Sequence, residues 1–150
     1  MSVEIRVYVY PDGKPKSTVL WVSRHSPLPA QLESLSKRLG CIRVIQISKL
    51  FASAEEIIEY ADRFRVNYIV AVLPLSMIMR LVELARSRGI TVLWSEMEVV
   101  ADKLLSPPTI DPDREVILTA KESDGSITYR VYRFKNFKKI RAIKMELEPI

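Results

Sequence analysis

Val19-Leu20-Trp21-Val22-Ser23-Arg24-His25 decides how this chain reads: an apolar run of strand type ends in a hydroxyl, a guanidinium and the only histidine. Outward from it, strand Thr18–Val22 passes through Pro27 and Pro29 into a helix with Leu28, Leu32, Leu35 and Leu39 on one face. Gly40 is placed to end that helix in a left-handed cap. A second strand, Ile42–Ile47, leads to a helix opened by Ser53 with Glu56 three residues on, the spacing of a capping box. Ile57, Ile58, Ala61 and Phe64 form its buried face. Tyr68–Leu73 is a third strand, apolar throughout, as expected where helices cover both faces of a sheet. Pro74 breaks it, and a helix from about Ser76 to Arg88 carries Ile78, Leu81, Val82 and Ala85 before Gly89. A fourth strand, Ile90–Trp94, stops at Ser95-Glu96, with a short helix through Val99–Leu105. Strands alternating with helices of this length imply right-handed crossovers and a mostly parallel sheet.

Both ends of the chain add to this α/β core, which spans residues 18–105. Val3, Ile5, Val7 and Val9 alternate with Glu4, Arg6, Tyr8 and Tyr10, giving an N-terminal strand closed by the turn residues Pro11-Asp12-Gly13. Residues 106–113 form a proline-rich linker that cannot continue a helix. Residues 114–150 are β-rich: Val116–Ala120 and Ile127–Phe134 flank Ser123-Asp124-Gly125-Ser126, a hairpin signature, and Ile143, Met145 and Leu147 suggest a last strand. A single domain over residues 1–150 is expected, since 150 residues suffice for one sizeable core.

The composition, 48% apolar and 27% charged, is that of a soluble protein, and no apolar run nears the ~20 residues needed to span a bilayer. The N-terminus lacks the apolar block of a signal peptide. One cysteine, Cys41, allows no internal disulfide and fits a reducing cytoplasm; as a strand-start residue it reads as an inert thiol. Few Asn, Gln and Gly beside abundant Arg, Lys, Ile and Val hint at a heat-adapted source. The net charge of +5 is concentrated late: residues 121–150 hold eight basic against four acidic side chains. A polyanionic partner is one reading of such a tail.

Ligands of open parallel sheets bind beyond the carboxyl ends of the strands. Those ends here are Ser23-Arg24-His25, Ser48-Lys49, Pro74-Leu75-Ser76 and Ser95-Glu96, which a parallel sheet would bring to one rim. The backbone amides of Ser76 and Met77 open a helix there and suit a phosphate oxygen, whereas Pro27 and Pro29 remove donors from the other helix start. A phosphate-bearing ligand therefore fits this rim better than an apolar one. Plainer roles stand beside these: His25 as a hydrogen-bonded structural residue, Ser76 as a helix cap, Glu96 and Glu98 as solvent-facing carboxylates rather than metal ligands. No glycine-rich phosphate loop or GxSxG nucleophile motif occurs, and no metal or cofactor is expected. A second candidate surface lies in the tail, where Tyr129, Tyr132, Phe134 and Phe137 interleave with Arg130, Arg133, Lys135, Lys138, Lys139 and Arg141, a mixture able to stack on bases and neutralise phosphates.

Trp21-Val22-Ser23-Arg24-His25-Ser26-Pro27-Leu28-Pro29-Ala30-Gln31-Leu32, with an echo at Val72-Leu73-Pro74-Leu75-Ser76, resembles small ancillary proteins of type III CRISPR systems. These are cyclic-oligoadenylate ring nucleases and sponges with a Rossmann-like, CARF-like fold. The resemblance spans roughly residues 18–95, and Ala30 stands where the family has a glutamate. It implies a cyclic RNA second messenger held across a homodimer at the carboxyl rim, where the dimer doubles Ser23, Arg24, His25, Lys49 and Ser76; with Gln31, Ser48, Leu75, Met77 and Ser95 of the same rim these make up the candidate binding set. It also implies metal-independent cleavage in which a 2′-hydroxyl attacks its own phosphodiester. His25 would then exchange protons and Arg24 would steady the developing charge. The residues alone leave two other readings open: a non-enzymatic nucleic-acid-binding protein using the tail, and an interaction module of viral or plasmid type.

Overall fold

A computed structural model describes residues 3–150 of the chain. Ten elements follow in order: β1 (Glu4–Tyr10), β2 (Ser17–Val22), α1 (Pro29–Leu39), β3 (Ile42–Ser48), α2 (Ala54–Phe64), β4 (Tyr68–Ala71), α3 (Leu75–Arg86), β5 (Thr91–Leu104), β6 (Glu115–Lys121) and β7 (Ile127–Ile140). All strands join one curled, seven-stranded sheet of order β1-β3-β2-β4-β5-β7-β6. The pairs β2–β3, β2–β4 and β4–β5 are parallel, and the outer pairs β1–β3, β5–β7 and β6–β7 are antiparallel. The molecule is thus mixed α/β, with a parallel centre and antiparallel flanks.

Alternation along β2 sends Leu20 and Val22 to one face and Val19 and Trp21 to the other, and all four are buried. Leu20 and Val22 meet Ile57, Ile58 and Ala61 of α2 and Ile78, Leu81, Val82 and Ala85 of α3. Val19 and Trp21 share the second cluster with Leu35 of α1 and with Ile42, Val44, Val70 and Leu93. Helices therefore cover both faces, as the wholly apolar strands require. Helix α2 starts where expected: Ser53 Oγ accepts the Glu56 N–H at 3.2 Å. The reciprocal half of a capping box is missing, because the Glu56 carboxylate turns to the Ala52 N–H (2.9 Å) and to Lys49. The same half appears at α1, where Gln31 Oε1 accepts the Leu28 N–H at 2.7 Å. Gly40 takes a positive φ of 77° but an extended ψ of −154°, so it ends α1 without the left-handed cap conformation.

Other local expectations also fail. Val99–Leu105 is no helix: β5 runs on to Leu104, past Ser95-Glu96, and lies along β7 with register shifts between Glu96 and Met97, Val99 and Ala101, and Ala101 and Leu104. A six- or seven-residue helix has little stability of its own, and the β7 edge offers Val99, Ala101 and Leu104 ladder partners in Tyr132, Val131 and Tyr129 instead. Residues 143–147 form no strand; Ile143 packs on the α2–α3 core while Met145 and Leu147 are exposed. Alternation makes a strand only when the segment lies alongside a backbone it can pair with, and residues 141–150 pair with none. The strand β7 is longer than its pattern suggested, reaching Ile140. The hairpin itself stands, with β6 and β7 paired from Glu115–Arg133 to Lys121–Ile127. No helix among the described residues is long and apolar enough to cross a membrane.

Candidate functional site

Parallel pairing of β2 with β4 puts the Ser23-Arg24-His25 tip and the Pro74 tip on one rim, and the Val72 N–H reaches the Val22 carbonyl at 3.2 Å. Between these tips, the start of α1 and the β5–β7–β6 ribbon opens a cavity of about 740 Å³. The rim loop that forms one wall is tied from within. Trp21 Nε1–H donates to the His25 carbonyl at 2.9 Å, and the His25 N–H donates to Ser23 Oγ at 3.2 Å. Gln46, buried on β3, donates from Nε2 to Ser26 Oγ at 3.2 Å, while its Oε1 has no partner. Gln31 is the hinge of the site: buried to 6% exposure, it donates from Nε2 to Ser95 Oγ at 2.9 Å while accepting from Leu28. One side chain so holds α1 against β5 across 64 residues of sequence.

Of the residues picked from sequence, Ser23, His25, Gln31, Leu75 and Ser95 line the cavity. Arg24 is exposed and outside the lining. Ser48 and Lys49 are elsewhere, because β3 lies on the far side of β2 from β4. Lys49 bonds Glu56 and lies 5.5 Å from the centre of the Phe51 ring, and that bond holds the lysine above and the glutamate below their ordinary ranges. Ser76 and Met77 also lie outside the lining, and the Met77 N–H is taken by the Pro74 carbonyl at 3.0 Å. Ser95 reaches the cavity from mid-strand, not from a strand end.

The lining corrects one chemical expectation. It contains no Lys, Arg, Asp or Glu, and apolar side chains dominate it, so the wall favours an apolar or aromatic surface over a row of phosphates. Trp94, Met97, Val116, Leu118, Tyr132, Ile140 and Ile143 also belong to it. Sequence reading missed them because they come from the ribbon and the segment after it. The available signals were period-2 pairs such as Ser95/Met97 and Val116/Leu118.

The tail is less cationic in space than in sequence. Arg130 grips Asp102 through two nitrogens at 2.9 Å each, which lowers the aspartate's pKa and raises the arginine's. Arg133 binds Glu115, whose carboxyl is lowered first by the Asp111 N–H and then by Arg133. Lys138 and Lys135 converge on Glu96 and lower its pKa, Lys138 most. Only Lys139 and Arg141 of the six candidate cations lack an acidic partner among the described residues. The aromatics are likewise engaged: Phe134 is buried, and Phe137 packs edge-on to Trp21 with ring centres 6.3 Å apart. No model of a known protein family matches the chain, and no curated protein matches it.

Proposed function

We propose that the protein binds a nucleotide in the rim cavity, a cyclic oligoadenylate being the first candidate, and that it holds the ligand chiefly by its base. The observation that carries this reading is the cavity itself: about 740 Å³, lined by no Lys, Arg, Asp or Glu, walled by Trp21, Trp94, Tyr132 and His25, with Gln31 and Ser95 as polar groups. Sites for small ligands have this size and this mixture of aromatic wall and few polar groups. After its bonds to Leu28 and Ser95, the Gln31 amide retains one N–H and one oxygen lone pair. A donor–acceptor pair on one amide is what the adenine edge matches. Phosphates would then project to the mouth, toward solvent and the neighbouring Arg24. In cleavage, His25 takes the 2′-hydroxyl proton as that oxygen attacks the adjacent phosphorus, and the departing 5′-oxygen takes a proton from solvent, leaving a 2′,3′-cyclic phosphate and a free 5′-hydroxyl.

Titration of the protein with cyclic tetra-adenylate, cyclic hexa-adenylate, AMP and adenosine, read by tryptophan fluorescence, tests binding. Quenching is expected, with affinity reduced roughly tenfold or more in Trp94→Ala, as for loss of a base stack. Chromatography of the same mixtures reads cleavage, which His25→Ala should abolish without abolishing binding. An absence of quenching by every adenine compound refutes the proposal. Equal affinity for adenosine and AMP would show that phosphate adds nothing.

A further inference from the structure

The outer edge of β1 carries an assignment that the rim cavity does not touch. This strand pairs with β3 along one side in unbroken register from Glu4–Ser48 to Tyr10–Ile42, and its other side is the free edge of the sheet. Natural edges are commonly blunted by proline, by a bulge or by charged side chains, lysine above all. Glu-Ile-Arg-Val-Tyr-Val-Tyr has no proline, lysine or bulge, and its two charges, Glu4 and Arg6, are of opposite sign. Instead Val3, Ile5 and Val7 form an exposed apolar row on the face shared with Ile45 and Ile47, at 39%, 40% and 55% exposure. Glu4 and Arg6 are exposed on the opposite face. Only β3 packs broadly against this strand.

We propose that β1 pairs antiparallel with β1 of a second copy of this chain, about a two-fold axis through Ile5. The charge pattern selects both the occupant and the register. A two-fold normal to the sheet keeps each side chain on its own face, so only residues of equal parity can oppose one another. Centred on Ile5, Glu4 of each copy faces Arg6 of the other, twice. On the other face Val3 meets Val7, and Ile5 meets Ile5. A centre at Arg6 would set two guanidinium groups opposite each other, and one at Val7 would leave Glu4 and Arg6 facing tyrosines. Opposite charges and apolar pairs directly across a ladder are the units that stabilise it, and an isologous contact repeats each of them. The far edge, β6, is a poorer candidate, because its Glu115 is already bound by Arg133 and the Asp111 N–H.

This pairing has a consequence for the cavity. Strands β2 to β5 of the two copies run in opposite directions across the joined sheet, so the carboxyl rims face opposite ends. Each copy then holds its own cavity, and no ligand spans the two-fold axis.

Analytical ultracentrifugation of the full chain at micromolar concentration tests the pairing. The expected species is twice the 17.2 kDa chain mass. Glu4→Arg and Arg6→Glu should each weaken the dimer, roughly tenfold or more in dissociation constant, since each places like charges opposite twice. The double variant restores the opposite-charge pairs and should restore the dimer. Both side chains are exposed, and circular dichroism of each variant checks that the fold is unchanged. A monomeric wild type, a dimer indifferent to either single reversal, or a double variant no better than the singles would each overturn the proposal.

Discussion

Replacing Gln31 by leucine removes the link between α1 and β5 while nearly preserving side-chain volume. Two bonds go: Leu28 N–H to Oε1 at 2.7 Å and Nε2–H to Ser95 Oγ at 2.9 Å. The Leu28 amide is partly buried and gains no substitute, a loss of about 1–3 kcal/mol. Ser95 Oγ is cushioned by its contact to Met97 Sδ at 3.6 Å, so its share is about 0.5–1 kcal/mol. Leucine's apolar gain at a site only 6% exposed offsets about 1 kcal/mol. The net cost is about 2 kcal/mol, which for a chain of 150 residues lowers Tm by roughly 4–8 °C. Urea unfolding of wild type, Gln31→Leu, Ser95→Ala and the double variant forms a double-mutant cycle. A coupling of about 0.5–1.5 kcal/mol is expected for the shared bond. Effects that add to within ~0.3 kcal/mol would refute the claim that Gln31 acts through Ser95.

Other expectations follow from the same geometry. Leu20→Ala, at a residue with no exposed surface, should cost about 2.5–5 kcal/mol in urea, whereas Leu118→Ala, at 38% exposure, should cost less than ~1.5 kcal/mol; equal losses would contradict the placement of the core. Arg65 closes α2 with φ 53° and ψ 53°, the left-handed region, so Arg65→Gly should raise stability by about 0.5–1 kcal/mol, and an unchanged or lowered Tm would sink this point. The Lys49–Glu56 pair fixes a pH profile. The folded Glu56 carboxyl lies below its ordinary 4.5, so its contribution is present above that value and disappears as pH falls through the lowered one. The folded Lys49 ammonium lies above its ordinary 10.5, so its contribution is complete below that value and disappears as pH climbs past the raised one. The Tm difference between wild type and Glu56→Gln should therefore be flat from about pH 5 to pH 10 and shrink on both sides; a difference that grows in acid would contradict the pair.

What the sequence by itself determined was the periodic part of the molecule. Apolar runs of strand length, leucines at helical spacing, and Ser53, Pro74 and Gly40 as punctuation were enough to place β2, α1, β3, α2, β4 and α3, because helix and strand patterns are local. The shared rim also followed, since a parallel connection forces successive strands to end on the same side. Tertiary structure alone decided which of those ends meet. Strand order put β3 beyond β2, which took Ser48 and Lys49 away from the cavity, and the β7 edge drew Val99–Leu104 out of a helix and into β5. It also decided the chemistry of the wall. Trp94, Leu118 and Tyr132 come from three different strands of the ribbon, and four of the six candidate cations of the tail are paired with Asp102, Glu115 and Glu96, pairings that charge counting along a chain cannot foresee. The physical reason is one of range: propensity and period act over a few residues, whereas cavity lining and ion pairing depend on which edges find each other.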